Sequence, residues 1–181
     1  MGYTGGMQTP ITILAIAGSL RAASLNTALL RAIARLAPAE YEIRIYPGLG
    51  ELPLFNPDLD ADSLPAVTGL RDAILAADVL ILASPEYAHG VSGPMKNALD
   101  WMVGNESFID KPLVLLNASP RATHAQAALR ETVRTMSARL IDEACISLPL
   151  LGSGLDADGI AADPALRRAI LAMLQCIRSF S

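Results

Sequence analysis

Short, continuous apolar runs alternate with helix-like segments along the chain, and this alternation constrains the fold more than any other feature. The runs lie at about 11–17, 41–46, 79–83, 112–118 and 144–148, and most are rich in Ile, Val and Leu. A strand covered on both faces has this pattern, because neither of its faces carries regularly spaced polar residues. The sequence therefore predicts a parallel sheet whose strands are joined by helices.

Between these runs, apolar residues recur at the three- and four-residue spacing of amphipathic helices. The last of these helices is opened by Asp163 as N-cap and Pro164 at the first helical position. A chain of 181 residues is too short for a closed eight-fold barrel, which needs about 250. We predict an α/β fold: a flavodoxin-like, doubly wound, five-stranded parallel sheet of order 2-1-3-4-5 with helices on both faces.

The composition indicates one domain. The chain is 52% hydrophobic and 18% charged, and it contains no polar tract typical of a linker. We therefore expect a flexible N-terminal extension over residues 1–10 and a single domain over 11–181. A net charge of -4 argues against nucleic acid as a partner, because nucleic-acid-binding domains carry a clustered basic face.

The sequence also bears on location and on metal binding. The apolar runs are too short to cross a bilayer, and residues 1–7 lack the basic and apolar regions of a signal peptide. We therefore expect a cytoplasmic protein without membrane contacts. Cys145 and Cys176 lack C-x-x-C spacing and are predicted to be reduced thiols. No metal site is predicted, because neither His89 nor His124 has further ligands at metal-binding spacing.

The loop from Gly18 to Asn26 joins the first predicted strand to the first helix. Such a connection directs backbone N–H groups and the positive end of the helix dipole at one point. Ser19, Ser24 and Asn26 add neutral hydrogen-bonding groups, and Arg21 adds a charged, forked donor. The loop matches neither the P-loop nor the dinucleotide fingerprint, so it predicts a site for another phosphate. Two simpler interpretations stay open: Ser24 as a plain helix cap and Arg21 as a solvated side chain.

Two further loops follow the third and fourth predicted strands. In open α/β sheets, ligands bind beyond the carboxyl ends of the strands, here between the first and third strands. Residues 84–94 contain two prolines and Tyr87, and such a stiff loop with an aromatic face suits a flat polar ring. Residues 117–124 could cover the far side of that ring, with Arg121 and His124 as donors. A phosphate site beside a ring site predicts a mononucleotide ligand.

The loop from Gly18 to Asn26 and the segment from Pro85 to Trp101 carry a resemblance to a known family. Together they resemble the NADPH-dependent FMN reductase family, flavodoxin-like proteins that include quinone, azo-dye and chromate reductases. The likeness extends over about residues 11–180. The matching motifs are Gly18-Ser19-Leu20-Arg21-x-x-Ser24-x-Asn26, and Pro85-Glu86-Tyr87 followed by Pro94-x-Lys96-Asn97-Ala98-Leu99-Asp100-Trp101.

The resemblance implies that residues 11–181 form an FMN-binding domain with tightly bound FMN and NAD(P)H as co-substrate. The first motif would hold the phosphate, and the second would contact the isoalloxazine largely through its backbone. No side chain is expected to be catalytic, because the flavin carries the chemistry. The residues expected to bind the cofactor are Ser19, Leu20, Arg21, Ser24, Leu25, Asn26, Pro85, Glu86, Tyr87, His89, Gly90, Ser119 and Arg121.

The chain departs from the family pattern at two places, both near the predicted ring site. Ala88 stands where family members commonly carry Asn, and the loop Ser119–Ala122 is shorter and poorer in glycine than is usual. These differences bear on nicotinamide access and on the choice of electron acceptor.

The activity implied by the resemblance is hydride transfer from NAD(P)H through FMN to a quinone-like, azo, chromate or flavin acceptor. Two alternatives stay open: a flavodoxin-type electron carrier and a flavin-based redox sensor. Electron carriers of this type usually have strongly acidic surfaces, and the net charge of -4 is mild by comparison. The sequence decides neither the preferred nucleotide nor the acceptor. A homodimer or homotetramer with the helix at 94–103 in its interface is expected, because the apolar content leaves surface that self-association can cover.

Overall fold

The computed structural model describes residues 9–180. The predicted N-terminal extension falls mainly on residues 1–8, which lie outside the described residues. Residues 9 and 10 are exposed and lead directly into the first strand. None of the helices within 9–180 is long and apolar enough to cross a membrane.

Strands and helices alternate in the described part of the chain, as the sequence predicts. The strands are β1 Ile11–Ala17, β2 Tyr41–Ile45, β3 Val79–Ala83, β4 Glu86–Tyr87, β5 Gly90–Val91, β6 Pro112–Asn117, β7 Arg139–Leu140 and β8 Ile146–Ser147. The α-helices are α1 Leu25–Leu36, α2 Pro65–Ala76, α3 Gly93–Val103, α4 Thr123–Thr135, α5 Ala157–Ala162 and α6 Pro164–Phe180. Short 3₁₀ turns lie at Gly48–Glu51, Ala61–Ser63, Glu106–Phe108 and Asp142–Ala144.

The main sheet is parallel and has the order β2-β1-β3-β6-β7, with β8 also paired to β6. In its register, Ile13 lies opposite both Ile43 of β2 and Val79 of β3. The predicted flavodoxin-like order is confirmed. The sheet has six strands rather than five, because two short strands, β7 and β8, share the edge position beside β6.

A 3₁₀ turn over Asp142–Ala144 interrupts this edge. The backbone N–H of Leu115 in β6 therefore finds no strand partner at this point, and it donates instead to the Cys145 Sγ at 3.3 Å. Burial raises the pKa of the Cys145 thiol, so the group stays protonated and serves as a packed polar contact. Cys145 and Cys176 are both free thiols.

The sheet separates two apolar layers. Successive side chains of a strand point to opposite faces, so Ile13 and Ala15 pack against α1 and α6 while Leu14 and Ile16 pack against α2 and α3. All five residues of β3 are buried, as expected for a central strand with helices on both sides. Helix α4 joins the second layer, through Leu129. The predicted doubly wound arrangement is confirmed.

Buried hydrogen bonds join the carboxyl ends of β1 and β3. The Gly18 N–H donates to the Ala83 carbonyl at 2.8 Å, and the Ser92 hydroxyl donates to the Gly18 carbonyl at 2.5 Å. Ser84 and Ser92 are both buried, with their hydroxyl oxygens 3.2 Å apart. The loops after β1 and β3 are thereby held against one another.

Gly18 has no space for a side chain. A Cβ atom there would lie 2.8 Å from the Ser92 hydroxyl and 3.1 Å from the Met95 Cβ. We predict that Gly18→Ala lowers the free energy of unfolding by about 1–3 kcal/mol, the usual range for overpacking. Urea unfolding checks this, with Gly69→Ala as the control. Gly69 lies within α2 with open space around it, so alanine there should stabilise by about 0.5–1 kcal/mol. Equal effects of the two changes would contradict the close packing at Gly18.

Candidate functional site

A cleft of about 300 Å³ opens at the carboxyl ends of β1, β3 and β6. This position is the switch point of the sheet, where doubly wound folds bind ligands. Predicted site residues that line the cleft are Ser19, Arg21, Ser24, Leu25, Asn26, Pro85, Glu86, Tyr87, Ser119 and Arg121. Leu20, His89 and Gly90 lie outside its lining.

One end of the cleft is formed by the N-terminus of α1. Ser24 is the N-cap, and its hydroxyl oxygen accepts a hydrogen bond from the Thr27 N–H at 3.2 Å. Ser24 is therefore a helix cap, and its O–H proton remains available to a ligand. The N–H groups of Leu25 and Asn26 have no partner within residues 9–180. Unpaired N–H groups at a helix N-terminus favour an anion.

The side chain of Asn26 is the clearest indication of a ligand site. Asn26 is 5% exposed, and its Oδ1 is buried without a hydrogen-bond partner in the described structure. Leaving a buried polar group unpaired costs about 1–3 kcal/mol, so such groups are rare in folded proteins. Because Asn26 also lines the cleft, its amide is placed to bind a polar group that enters there.

Arg21 and Arg121 line the cleft from opposite loops. Each lies two residues after a serine whose hydroxyl oxygen accepts the arginine backbone N–H, in both cases at 3.4 Å. Both side chains are exposed, and neither forms an ion pair within 9–180, whereas Arg35 and Arg178 do. Two unpaired guanidinium groups and an open helix N-terminus add positive potential to the cleft, and the Glu86 carboxylate in the same lining offsets it only in part.

The loop after β3 forms a tight hairpin from β4 and β5. Its two turn residues, Ala88 and His89, have φ values of 48° and 60°. This is a type I′ turn, which favours Asn and Gly, so Ala88 and His89 hold strained conformations. The strained tip sets His89 and Gly90 beyond the cleft wall, and it leaves the Tyr87 ring 52% exposed at the rim.

Asn117 begins the third loop expected at this site, although it was not among the residues expected to bind the cofactor. Asn117 is buried at the end of β6 and lines the cleft. Its Oδ1 accepts from the Ser119 N–H at 3.0 Å, and its Nδ2 donates to the Ala122 carbonyl at 3.1 Å. One side chain thus holds both ends of the short loop. A polar residue at the end of an otherwise apolar strand was the available signal.

Ser84 and Ala118, from the two loops expected at this site, also line the cleft, and so does Leu151, which was not predicted there. Leu151 follows the last strand and is exposed, so only the folded chain brings it to this edge.

Trp101, which ends the second family motif, is buried away from the cleft lining: its Nε1 donates to the Pro53 carbonyl at 2.8 Å, and its ring packs edge-on against Phe55. Within 9–180, no three His, Cys, Asp or Glu side chains converge as a metal site.

The fold and the cleft together define a class. A doubly wound parallel sheet with an anion-favouring loop and an aromatic rim at its switch point is typical of flavodoxin-like proteins that bind a mononucleotide.

Comparison with known proteins gives the family. The model of the NADPH-dependent FMN reductase family matches residues 11–149. An NAD(P)H-dependent FMN reductase of Pseudomonas aeruginosa is 33% identical over 178 residues, covering 95% of this chain and 96% of that protein. A probable NADPH:quinone oxidoreductase of Oryza sativa subsp. japonica is 32% identical over 181 residues, covering 94% of this chain and 92% of that protein.

Among solved structures, FerB, a flavoenzyme NAD(P)H:(acceptor) oxidoreductase from Paracoccus denitrificans, matches with a TM-score of 0.80 and 29% identity. The match covers 93% of this chain and 97% of FerB. The chain belongs to the NADPH-dependent FMN reductase family, and it is an oxidoreductase of the type that uses FMN and NAD(P)H. The resemblance inferred from the two loop motifs is confirmed.

Proposed function

We propose that this protein passes a hydride from NAD(P)H, through FMN, to a quinone-like acceptor, with azo compounds, chromate and free flavin as further acceptors to compare. The buried, unpartnered Oδ1 of Asn26 carries the proposal, because it indicates a ligand with a hydrogen-bond donor at the α1 end of the cleft, where Arg21 also lies. The quinone is favoured because quinone is the acceptor in the name of the Oryza sativa relative.

The α1 end of the cleft would hold the FMN phosphate. Arg21 supplies positive charge, and Ser19 and Ser24 supply hydroxyl groups that can donate to the phosphate. The Asn26 Oδ1 can only accept a hydrogen bond, so its partner would be a hydroxyl group of the FMN ribityl chain beside the phosphate. The unpaired N–H groups of Leu25 and Asn26 add donors aligned with the helix dipole. A phosphate dianion therefore meets a site whose charge and hydrogen-bonding capacity complement it.

The opposite end would hold the isoalloxazine between two loops. Pro85, Glu86 and Tyr87 form one wall, and Ser119 and Arg121 form the other. When bound, FMN supplies the hydride chemistry. The protein positions the ring, and the Arg121 guanidinium with nearby backbone N–H groups stabilises negative charge on it. Leu20, His89 and Gly90 lie outside the cleft lining, where they would contact the nicotinamide nucleotide or the acceptor.

Arg21 tests the phosphate site. We predict that Arg21→Ala weakens FMN binding by about 1.5–3 kcal/mol, the range for a hydrogen bond to a charged group, with little change in the urea unfolding midpoint of the FMN-free protein. Quenching of flavin fluorescence on binding gives the affinity. Arg167→Ala, which removes another exposed arginine on α6, is the control and should leave FMN affinity unchanged. An unchanged affinity in Arg21→Ala would restore the interpretation of Arg21 as a solvated side chain.

Steady-state kinetics test the activity. The FMN-loaded protein should oxidise NADPH or NADH with benzoquinone as acceptor. Initial rates should follow a ping-pong pattern, because the rim formed by Tyr87 and the Ser119–Ala122 loop leaves one opening for two planar substrates. Anaerobic addition of the nucleotide should bleach the flavin absorbance, and benzoquinone should restore it. Absence of bleaching with either nucleotide would favour the electron-carrier or redox-sensor alternatives.

We also propose that the chain forms a homodimer or homotetramer through the face of α3. The exposed side chains of Leu54 and Phe55 lie on the segment that packs over α3, and Val103 is exposed at its C-terminal end. Association would cover this apolar surface. Light scattering at micromolar concentration should give a multiple of 19.1 kDa, and a purely monomeric mass would exclude the proposal.

A further inference from the structure

The Glu86 carboxylate links two loops on opposite sides of the cleft. Its Oε2 accepts a hydrogen bond at 2.8 Å from the backbone N–H of Ala125, in the first turn of α4. The side chain is only 14% exposed, so water screens this contact weakly. The resemblance implied that this residue contacts the ring through its backbone, and it left the carboxylate without a role.

Helix α4 depends on this distant carboxylate for its N-terminal cap. Its own N-cap residue is Ala122, which has no side chain that can accept a hydrogen bond. An N-cap side chain normally accepts from the third helical N–H, and here Glu86 accepts from that group. The negative charge also lies at the positive end of the helix dipole, where a carboxylate is stabilising.

The short loop Ser119–Ala122 lies between this cap and β6. Asn117 binds both ends of the loop from the β6 side, and Glu86 fixes the first helical turn that follows it. Arg121 lies on this loop and lines the cleft. The position of Arg121 therefore depends on Asn117 from one side and on Glu86 from the other.

The contact extends to the tip of the hairpin. The Nδ1 of His89 lies 3.4 Å from the Glu86 Oε1, and the His89 ring packs edge-on against His124, with ring centroids 4.4 Å apart. His124 belongs to the first turn of α4. Glu86 and the two histidines thus connect the β4–β5 hairpin to α4 along one side of the cleft.

We propose that Glu86 is a positioning residue. Its carboxylate holds the first turn of α4, and with it Arg121 and the Ser119–Ala122 loop, at the separation from the hairpin that a bound flavin ring requires. This inference rests on the proposed function, because the ring is what the two loops would enclose. It assigns the Glu86 side chain to the shape of the ring site rather than to the chemistry.

The test compares Glu86→Ala with Glu86→Gln, which keeps a neutral acceptor for the Ala125 N–H. The control is Glu131→Ala, which removes an exposed glutamate from the same helix. Loss of a helix cap predicts roughly five-fold faster hydrogen exchange at the amides of residues 119–126 in Glu86→Ala. FMN affinity should fall by a similar factor, and the KM for benzoquinone should rise more than kcat falls. Glu86→Gln should return the hydrogen exchange, the FMN affinity and the KM for benzoquinone most of the way to their wild-type values.

Two results would overturn the inference. One is exchange in Glu86→Ala that matches Glu131→Ala. The other is faster exchange with unchanged FMN affinity, which would make Glu86 a helix cap without influence on the ring site. If Glu86→Ala does not fold, Glu86→Leu takes its place, because it removes the acceptor for the Ala125 N–H but keeps most of the side-chain volume. Hydrogen exchange and FMN affinity equal to wild type in Glu86→Leu would reject the proposal. If wild-type protein binds FMN but does not oxidise NAD(P)H, the proposed function fails, while exchange and FMN affinity still judge Glu86.

Discussion

The contact between Gly18 and the loop after β3 is the constraint on which the site depends. The N–H of Gly18 donates to the Ala83 carbonyl, and its carbonyl accepts from the buried Ser92 hydroxyl. Because a Cβ at Gly18 would collide with Ser92, only glycine allows the two loops to approach this closely. The α1 N-terminus and the β4–β5 hairpin then lie beside one cleft, and a ligand can contact both.

The site combines a rigid base with walls held by a few polar contacts. The base consists of the ends of β1, β3 and β6, whose side chains are buried in two close-packed layers. The walls are short loops held by Asn117, by Glu86 and by the buried serines. Such an arrangement keeps the α1 end of the cleft fixed. Changes in the loops can alter the opposite end while leaving the core untouched.

The hairpin turn at Ala88 and His89 shows how local strain is retained at the site. Both residues hold positive φ values that alanine and histidine adopt at a cost of about 1–2 kcal/mol each. The pairing of Glu86 with Val91 and the contact of His89 with His124 hold this conformation in place. Since a type I′ turn favours Asn or Gly, the chain keeps the turn geometry with alanine, a residue less suited to it. The hairpin therefore depends on its tertiary contacts with α4 more than on its own turn residues.

The sequence by itself determined the alternation of strands and helices and the burial of the central strands on both faces, because both follow from local periodicity. The strand order was predicted by choosing a flavodoxin-like fold, and the structure confirms it. The periodicity placed the fifth strand at 144–148, where the structure has only Ile146–Ser147, and it missed Arg139–Leu140 on the other side of the turn at Asp142–Ala144. Only the tertiary structure decided three features: the hydrogen bond from the Leu115 N–H to Cys145 at the sheet edge, the cap of α4 by Glu86 and the unpartnered Oδ1 of Asn26. Each of these features depends on contacts between groups that are distant in the sequence, and local periodicity carries no information about such contacts.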